Sequence, residues 1–203
     1  KLNRLITSFV FVILLMVEII SPQTYSVTVL NQHTIGSDFV FDIYIRMNEP
    51  AEFYLGGSDF SLYFNSNFFS EPTASVQNSG ALQSYISAIS IINSNVIVLN
   101  ILPPFFSSQG EFETIAAKIS LIEPGTKIAS ITLSGIINFS GEAGLLWKEQ
   151  TPNQCVIYSF DDSSPWLTTE KTSFGEFISP AVTPLPVELS SFTDSIKNNF
   201  VLL

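Results

Sequence analysis

Apolar residues recur at every second position through most of this chain. Phe39, Phe41, Ile43 and Ile45 alternate with Val40, Asp42, Tyr44 and Arg46. Phe60, Leu62 and Phe64 alternate with Ser61, Tyr63 and Asn65. Ile115, Ala117, Ile119 and Leu121 repeat the pattern, as do Ala129, Ile131 and Leu133, and Val156, Tyr158 and Phe160 make a further face. A period of two places alternate side chains on opposite faces of an extended strand, one buried and one wet. Val96–Ile101 is apolar on both faces and predicts a central strand.

Turn residues separate these runs: Asn48-Glu49-Pro50, Gly56-Gly57, Asn78-Ser79-Gly80, Asn93-Ser94-Asn95, Pro103-Pro104 and Glu123-Pro124-Gly125. Each supplies a left-handed or fixed backbone angle, or a side chain that closes a turn. Asn93-Ser94-Asn95 reads as a hairpin tip. No stretch shows helical spacing. About nine short strands joined by turns predict an all-β fold, an antiparallel β-sandwich.

The two ends break the pattern. Lys1 and Arg4 precede the apolar run Leu5–Val17, and Glu18 and Pro22 follow. A basic head, a short apolar middle and a polar exit predict a secretory signal peptide over residues 1–23, cleaved between Ser21 and Ser26. A spanning helix needs about 20 apolar residues, so no stable membrane span is expected after cleavage. Pro180, Pro184 and Pro186 stiffen the far end and mark a boundary. The expected organisation is a sandwich over 24–180, then a proline linker and the first strand of a truncated module over 181–203.

Composition supports a packed secreted domain. The chain has 203 residues, 46% hydrophobic and 13% charged, with 18 Phe. That balance excludes disorder and suits one domain with a large core. The 8 basic and 18 acidic residues leave a net charge of −10. So acidic a chain has no electrostatic footprint for nucleic acid and is repelled by anionic membrane surfaces. Cys155 is the only cysteine, in the apolar run Cys155–Tyr158, so no internal disulfide forms. It reads as a small hydrophobe.

Chemistry is sparse. His33 is the only imidazole, in a turn-like setting. The chain has no nucleophile elbow, zinc-protease or phosphate-loop motif, and catalytic residues are expected to be none. Asp161 and Asp162 form an oxygen-rich pair before Ser163-Ser164-Pro165, a calcium candidate, with Asp38, Asp42 and Asp59 as additions. No other cofactor is implied. Tyr54, Trp147 and Trp166 are the candidates for stacking on sugar rings. The other reading of both tryptophans is that they anchor the core or cover an end of the sandwich.

Some segments resemble known ones. Val29–Gly36 leads into Asp38–Arg46, Phe60–Asn65 follows, and Gly110–Leu121 later runs into Pro124-Gly125-Thr126. This order, across roughly Val27 to Asp161, resembles cohesin-like domains, whose architecture is related to that of several carbohydrate-binding modules. The chain departs from cellulosomal cohesins in the insert Glu71–Ser90 and around Trp147 and Trp166. PLPVELSSFT, from Pro184 to Thr193, looks like the junction before fibronectin type III-like modules in surface proteins of Bacteroidetes and Ignavibacteria, many exported by type IX secretion. Phe53–Gly56, Asp59-Phe60 and Gly144–Trp147 look familiar from the N-terminal modules of those proteins. Asp194-Ser195-Ile196 matches a short O-glycosylation pattern described for Bacteroidetes. The resemblance implies a non-catalytic module of a secreted, cell-surface, multidomain protein, serving adhesion, spacing or protein binding. The alternative is a carbohydrate-binding module accessory to a secreted enzyme. The implied partner is an extracellular protein or polysaccharide.

Overall fold

The computed structural model describes residues 25–50, 53–138, 141–160 and 166–180. The expected signal peptide over residues 1–23, the expected linker and strand over 181–203, and the Asp161-Asp162 pair lie outside the described residues.

The long alternating runs form the long strands. They are β1 (Tyr25–Ile35), β2 (Asp38–Met47), β4 (Ser58–Tyr63), β5 (Phe69–Asn78), β6 (Ile86–Ile92), β7 (Val96–Leu102) and β8 (Thr126–Ile136). Shorter pieces complete the sheets: β3 (Tyr54–Leu55), β9 (Leu146–Trp147), β10 (Tyr158–Phe160), β11 (Thr168–Glu170) and β12 (Gly175–Ile178). One sheet has the order β12-β1-β2-β8-β5, a second β6-β7-β4-β9, and a third, smaller one β11-β10-β3. All pairings are antiparallel except β1 with β12, which run parallel. The result is the all-β sandwich that the alternation predicts.

The core lies between the five- and four-stranded sheets. Val27 and Val29 of β1, Phe39, Phe41, Ile43 and Ile45 of β2, and Ile131 and Leu133 of β8 face Phe60, Leu62, Ile97, Leu99 and Ile101 of the other sheet. Cross-strand pairs such as Phe60 with Leu99 and Leu62 with Ile97 tie the inner face of the second sheet together. Burying each of these side chains stabilises the fold by about 1.5–3 kcal/mol.

Turn chemistry fixes the connections. Asn93 and Ser94, at φ 52° and 60°, close the β6–β7 hairpin with the Asn95 amide donating to the Ile92 carbonyl. Gly125 sits at φ 102°, and a Cβ there would stand 2.5 Å from the Ile45 carbonyl oxygen, so no other residue fits.

Two expectations are corrected. No helix is expected, yet Gln109–Ile115 is a helix, α1, which takes Ile115 out of the alternating run Ile115–Leu121. Ser108 caps it by accepting from the Glu111 amide, and Glu111 reaches back to the Ser107 amide. The helix ends at Ile115; extended backbone resumes at Ala116, Lys118 bridges to Tyr54, and Ala117 and Ile119 are buried as the alternation requires, although the segment forms no strand of its own. The second correction is one of parity. Cys155 and Ile157 enter the main core, whereas Val156, Tyr158 and Phe160 turn away from it.

Candidate functional site

The three aromatic candidates divide between two places. Trp147 is corrected: it is a core residue, 6% exposed, and offers no free face to a sugar. Its ring packs on Phe60 and Phe177, with centroids 6.5 and 5.7 Å away. Its indole nitrogen donates to the Ile178 carbonyl at 3.0 Å and its amide donates to the Ser179 hydroxyl, which ties β9 to the end of β12.

Tyr54 and Trp166 do meet. Both pack on Phe112 of α1, Tyr54 at 5.0 Å and Trp166 at 5.8 Å with an angle of 15° between the ring planes. Phe106 and Phe160 complete a satellite cluster, 5.1 and 5.9 Å from Phe112. Trp166 holds a left-handed backbone at φ 52°, and its indole nitrogen donates to the Gln109 side chain at 3.3 Å. The Lys118 ammonium lies over the Tyr54 ring at 5.5 Å. These rings meet edge to face or stack on each other, so the cluster seals α1 against the three-stranded sheet instead of presenting a coplanar row. Phe105, next to Phe106, projects freely at 91% exposed, and Leu167, next to Trp166, is 62% exposed.

Two of the acidic candidates, Asp42 and Asp59, are engaged in hydrogen bonds. Asp42 accepts from Asn31 at 2.8 Å and Ser130 at 2.7 Å, and pairs with the Lys127 ammonium at 2.7 Å. Asp59 accepts from the Asn100 amide group at 2.6 Å. Among the described residues no three His, Cys, Asp or Glu side chains converge as metal ligands would. His33 is exposed at the end of β1, with its Nδ1 2.7 Å from the Asn31 carbonyl. Cys155 is buried, and desolvation, with the nearby charges of Glu149 and Asp59, pushes its thiol up to about 12 against the hydrogen bonds from Ser61 and Lys148. Such a thiol is no nucleophile.

One surface stands out by its lack of charge. The positions of the four-stranded sheet that point away from the core are Ile86, Ala88, Ser90 and Ile92 on β6, Val96, Val98, Asn100 and Leu102 on β7, and Asp59, Ser61 and Tyr63 on β4; Val96, Val98 and Ser61 are buried, while Ile86, Ala88, Ser90, Leu102 and Tyr63 are open to solvent. Asp59 is the single charge among them. Lys148 stands at the margin, its ammonium over the Tyr63 ring at 5.5 Å and donating to the Gln150 carbonyl. No charged residue occurs between Glu71 and Glu111 in a chain of net charge −10. Single-residue searching for chemistry misses this feature, because its signal is an absence spread over two strands and the loops that join them.

No family model and no curated protein matches this chain. Among solved structures it is similar to the seventh ScaB type I cohesin from Pseudobacteroides cellulosolvens, at 17% identity and a TM-score of 0.46, over 79% of this chain and 95% of that one. It is also similar to the cohesin module of a Clostridium perfringens family 33 glycoside hydrolase, at 14% identity and a TM-score of 0.41, over 78% and 99%. A third is a cohesin–dockerin complex from Clostridium thermocellum, at 13% identity and a TM-score of 0.38, over 76% and 99%. Among the described residues no helix is long and apolar enough to cross a membrane.

Proposed function

We propose that this sandwich is a non-catalytic binding module of a secreted, surface-attached protein, and that it holds a protein partner on the outer face of its four-stranded sheet. The observation that carries this reading is the neutral, apolar and hydroxyl-bearing character of the exposed part of that face, Ile86, Ala88, Ser90, Leu102, Tyr63 and Leu146, on an otherwise acidic molecule. Interface centres are depleted in charge and enriched in aromatic residues, and here Tyr63 and the exposed Leu146 stand opposite each other on β4 and β9. Extracellular export follows from the basic head and apolar run at the N-terminal end. An enzymatic role has no support from a thiol nucleophile, since Cys155 is buried and its ionisation is pushed up to about 12.

The test is affinity capture from the extracellular fraction of the source cells, with the immobilised chain compared with Leu146→Arg and Thr132→Arg. Thr132 points outward on the opposite sheet and serves as the control. A protein retained by the parent and by Thr132→Arg, but lost with Leu146→Arg, supports the reading. Retention that ignores Leu146→Arg overturns it. Retardation by a polysaccharide in affinity electrophoresis, with no protein captured, favours the carbohydrate alternative.

A further inference from the structure

The sheet edges of this domain are unequal. In the five-stranded sheet one edge is β12, four residues long and carrying Glu176. The other is β5, which contains Glu71 and Pro72 and shifts register between Phe69 and Thr73. In the smaller sheet the edges are β3 and β11, two and three residues long, and β11 ends in Glu170. In the four-stranded sheet β9 has two residues and is followed by Lys148. Short strands, charge, proline and bulges are the means by which folded proteins keep their edges from pairing with other chains.

Strand β6 has none of them. Its sequence from Ile86 to Ile92 holds no charge and no proline, and its register with β7 runs without a break from Ile86 opposite Leu102 to Ile92 opposite Val96. Among the described residues no strand pairs with its other side. Its end is open to solvent on the outer face: Ile86 is 69% exposed, and its cross-strand neighbour Leu102 is 56% exposed. The uncharged stretch between Glu71 and Glu111 includes β6, β7, their hairpin and the part of the neighbouring β5 from Pro72 to Asn78.

We infer that β6 pairs with β6 of a second copy of this chain, antiparallel about a two-fold axis through Ile89, to join two four-stranded sheets into one of eight strands. A second copy fits this edge on two grounds. Long-range repulsion between two acidic molecules is weakest where both are free of charge. The strand also complements itself in this register. Ile86 stands opposite Ile92 of the second copy, and Ala88 opposite its Ser90, on the outer face. On the inner face Ser87 meets Ile91, and Ile89 meets its own counterpart. A two-fold pairing of this kind uses one patch twice and closes at two subunits.

Sedimentation velocity of the 203-residue chain at micromolar concentrations tests this. The expected mass is twice the 22.4 kDa of one chain. The double variants Ala88→Lys with Ser90→Lys, and Ala88→Glu with Ser90→Glu, are each expected to sediment as monomers. Mixing the two is expected to restore the dimer, because each introduced lysine then faces an introduced glutamate across the axis. If either double variant fails to fold, Ile86→Lys at the exposed end of the strand gives the same monomer readout.

A parent chain that stays monomeric overturns the inference. So does a dimer that survives both double variants, a mixture that fails to re-form it, or growth beyond two copies. A monomer whose β6 amides are nonetheless protected from hydrogen exchange overturns it in favour of an edge covered by another segment of the same chain.

Discussion

The ring of Tyr25 occupies the space where a side chain on Gly175 would lie. A Cβ at Gly175 would stand 2.3 Å from two ring carbons, and the two residues are partners in the parallel pairing of β1 with β12. Gly175 has φ −102°, so the position requires glycine for its missing volume and not for a left-handed backbone. The ring is held from the other side too, because its hydroxyl donates to the Lys171 carbonyl at 3.0 Å. Gly175→Ala is therefore expected to lower stability by about 1–3 kcal/mol, the usual cost of overpacking, measured by urea unfolding. Combining it with Tyr25→Leu should recover part of the loss. Strict additivity of the two changes would show that the ring and the glycine are not in competition.

Asp42 links the stability of the five-stranded sheet to pH. Burial alone would raise its carboxyl, but hydrogen bonds from Asn31, Lys127 and Ser130, together with the Lys127 charge, outweigh that and hold it below the usual carboxylate range. A carboxyl lowered on folding contributes stability that is complete above the unfolded value of about 3.9 and is lost as pH falls through the lower folded value. Thermal melts from neutral to strongly acid pH should show Asp42→Asn losing less stability than the parent on acidification. At neutral pH the variant should be weaker by about 1–3 kcal/mol, since a charged acceptor has been removed from its donors. Parallel curves for the two proteins would exclude Asp42 as the source of the acid sensitivity.

Tyr85 fastens the segment after α1 to the main sandwich. Its hydroxyl donates to the Leu55 carbonyl at 2.8 Å and accepts from the Ala117 amide at 3.0 Å. Tyr85→Phe keeps the ring and leaves two buried backbone groups short of a partner, at an expected cost of about 1–3 kcal/mol. Burial pushes the phenol up to about 12 against the bond from Ala117. Absorbance titration should therefore find fewer tyrosines ionising near pH 10 in the folded parent than in the unfolded chain, a difference that shrinks in Tyr85→Phe.

What could be read from the chain follows from what alternation encodes. Phe39 to Ile45 and Phe60 to Phe64 declare strands and their buried faces, because a period of two with large apolar residues has one sandwich solution. Ile115 to Leu121 shows the same period and is no strand. The helix before it is signalled locally, by Ser108 three residues before Glu111, whereas beyond it Ala117 and Ile119 keep the buried positions of the alternation. Cys155 and Ile157, against Val156, Tyr158 and Phe160, show a second limit. Both sets are apolar because both are covered, one by the main core and the other partly by the cluster around Phe112, so periodicity alone does not separate them. Trp147 shows a third: a ring suited to stacking on a ligand is equally suited to stacking on Phe60, and only the position of β9 within the sheet decides.

Cys155 offers a reporter of global opening. Its thiol lies in the main core, donating to the Ser61 carbonyl and accepting from the Ser61 amide, both at 3.3 Å. It is out of reach of reagents and, with an ionisation pushed up to about 12, almost wholly protonated at neutral pH. Reaction requires the thiolate, so the folded chain should be inert to a disulfide reagent at mildly alkaline pH and should react at once in concentrated guanidinium chloride. Under native conditions the slow labelling rate should follow the opening of the sandwich, rising in Gly175→Ala and Tyr85→Phe in proportion to their loss of stability. Fast labelling of the folded parent would place Cys155 in a locally mobile segment and contradict its packing against Ser61 of β4.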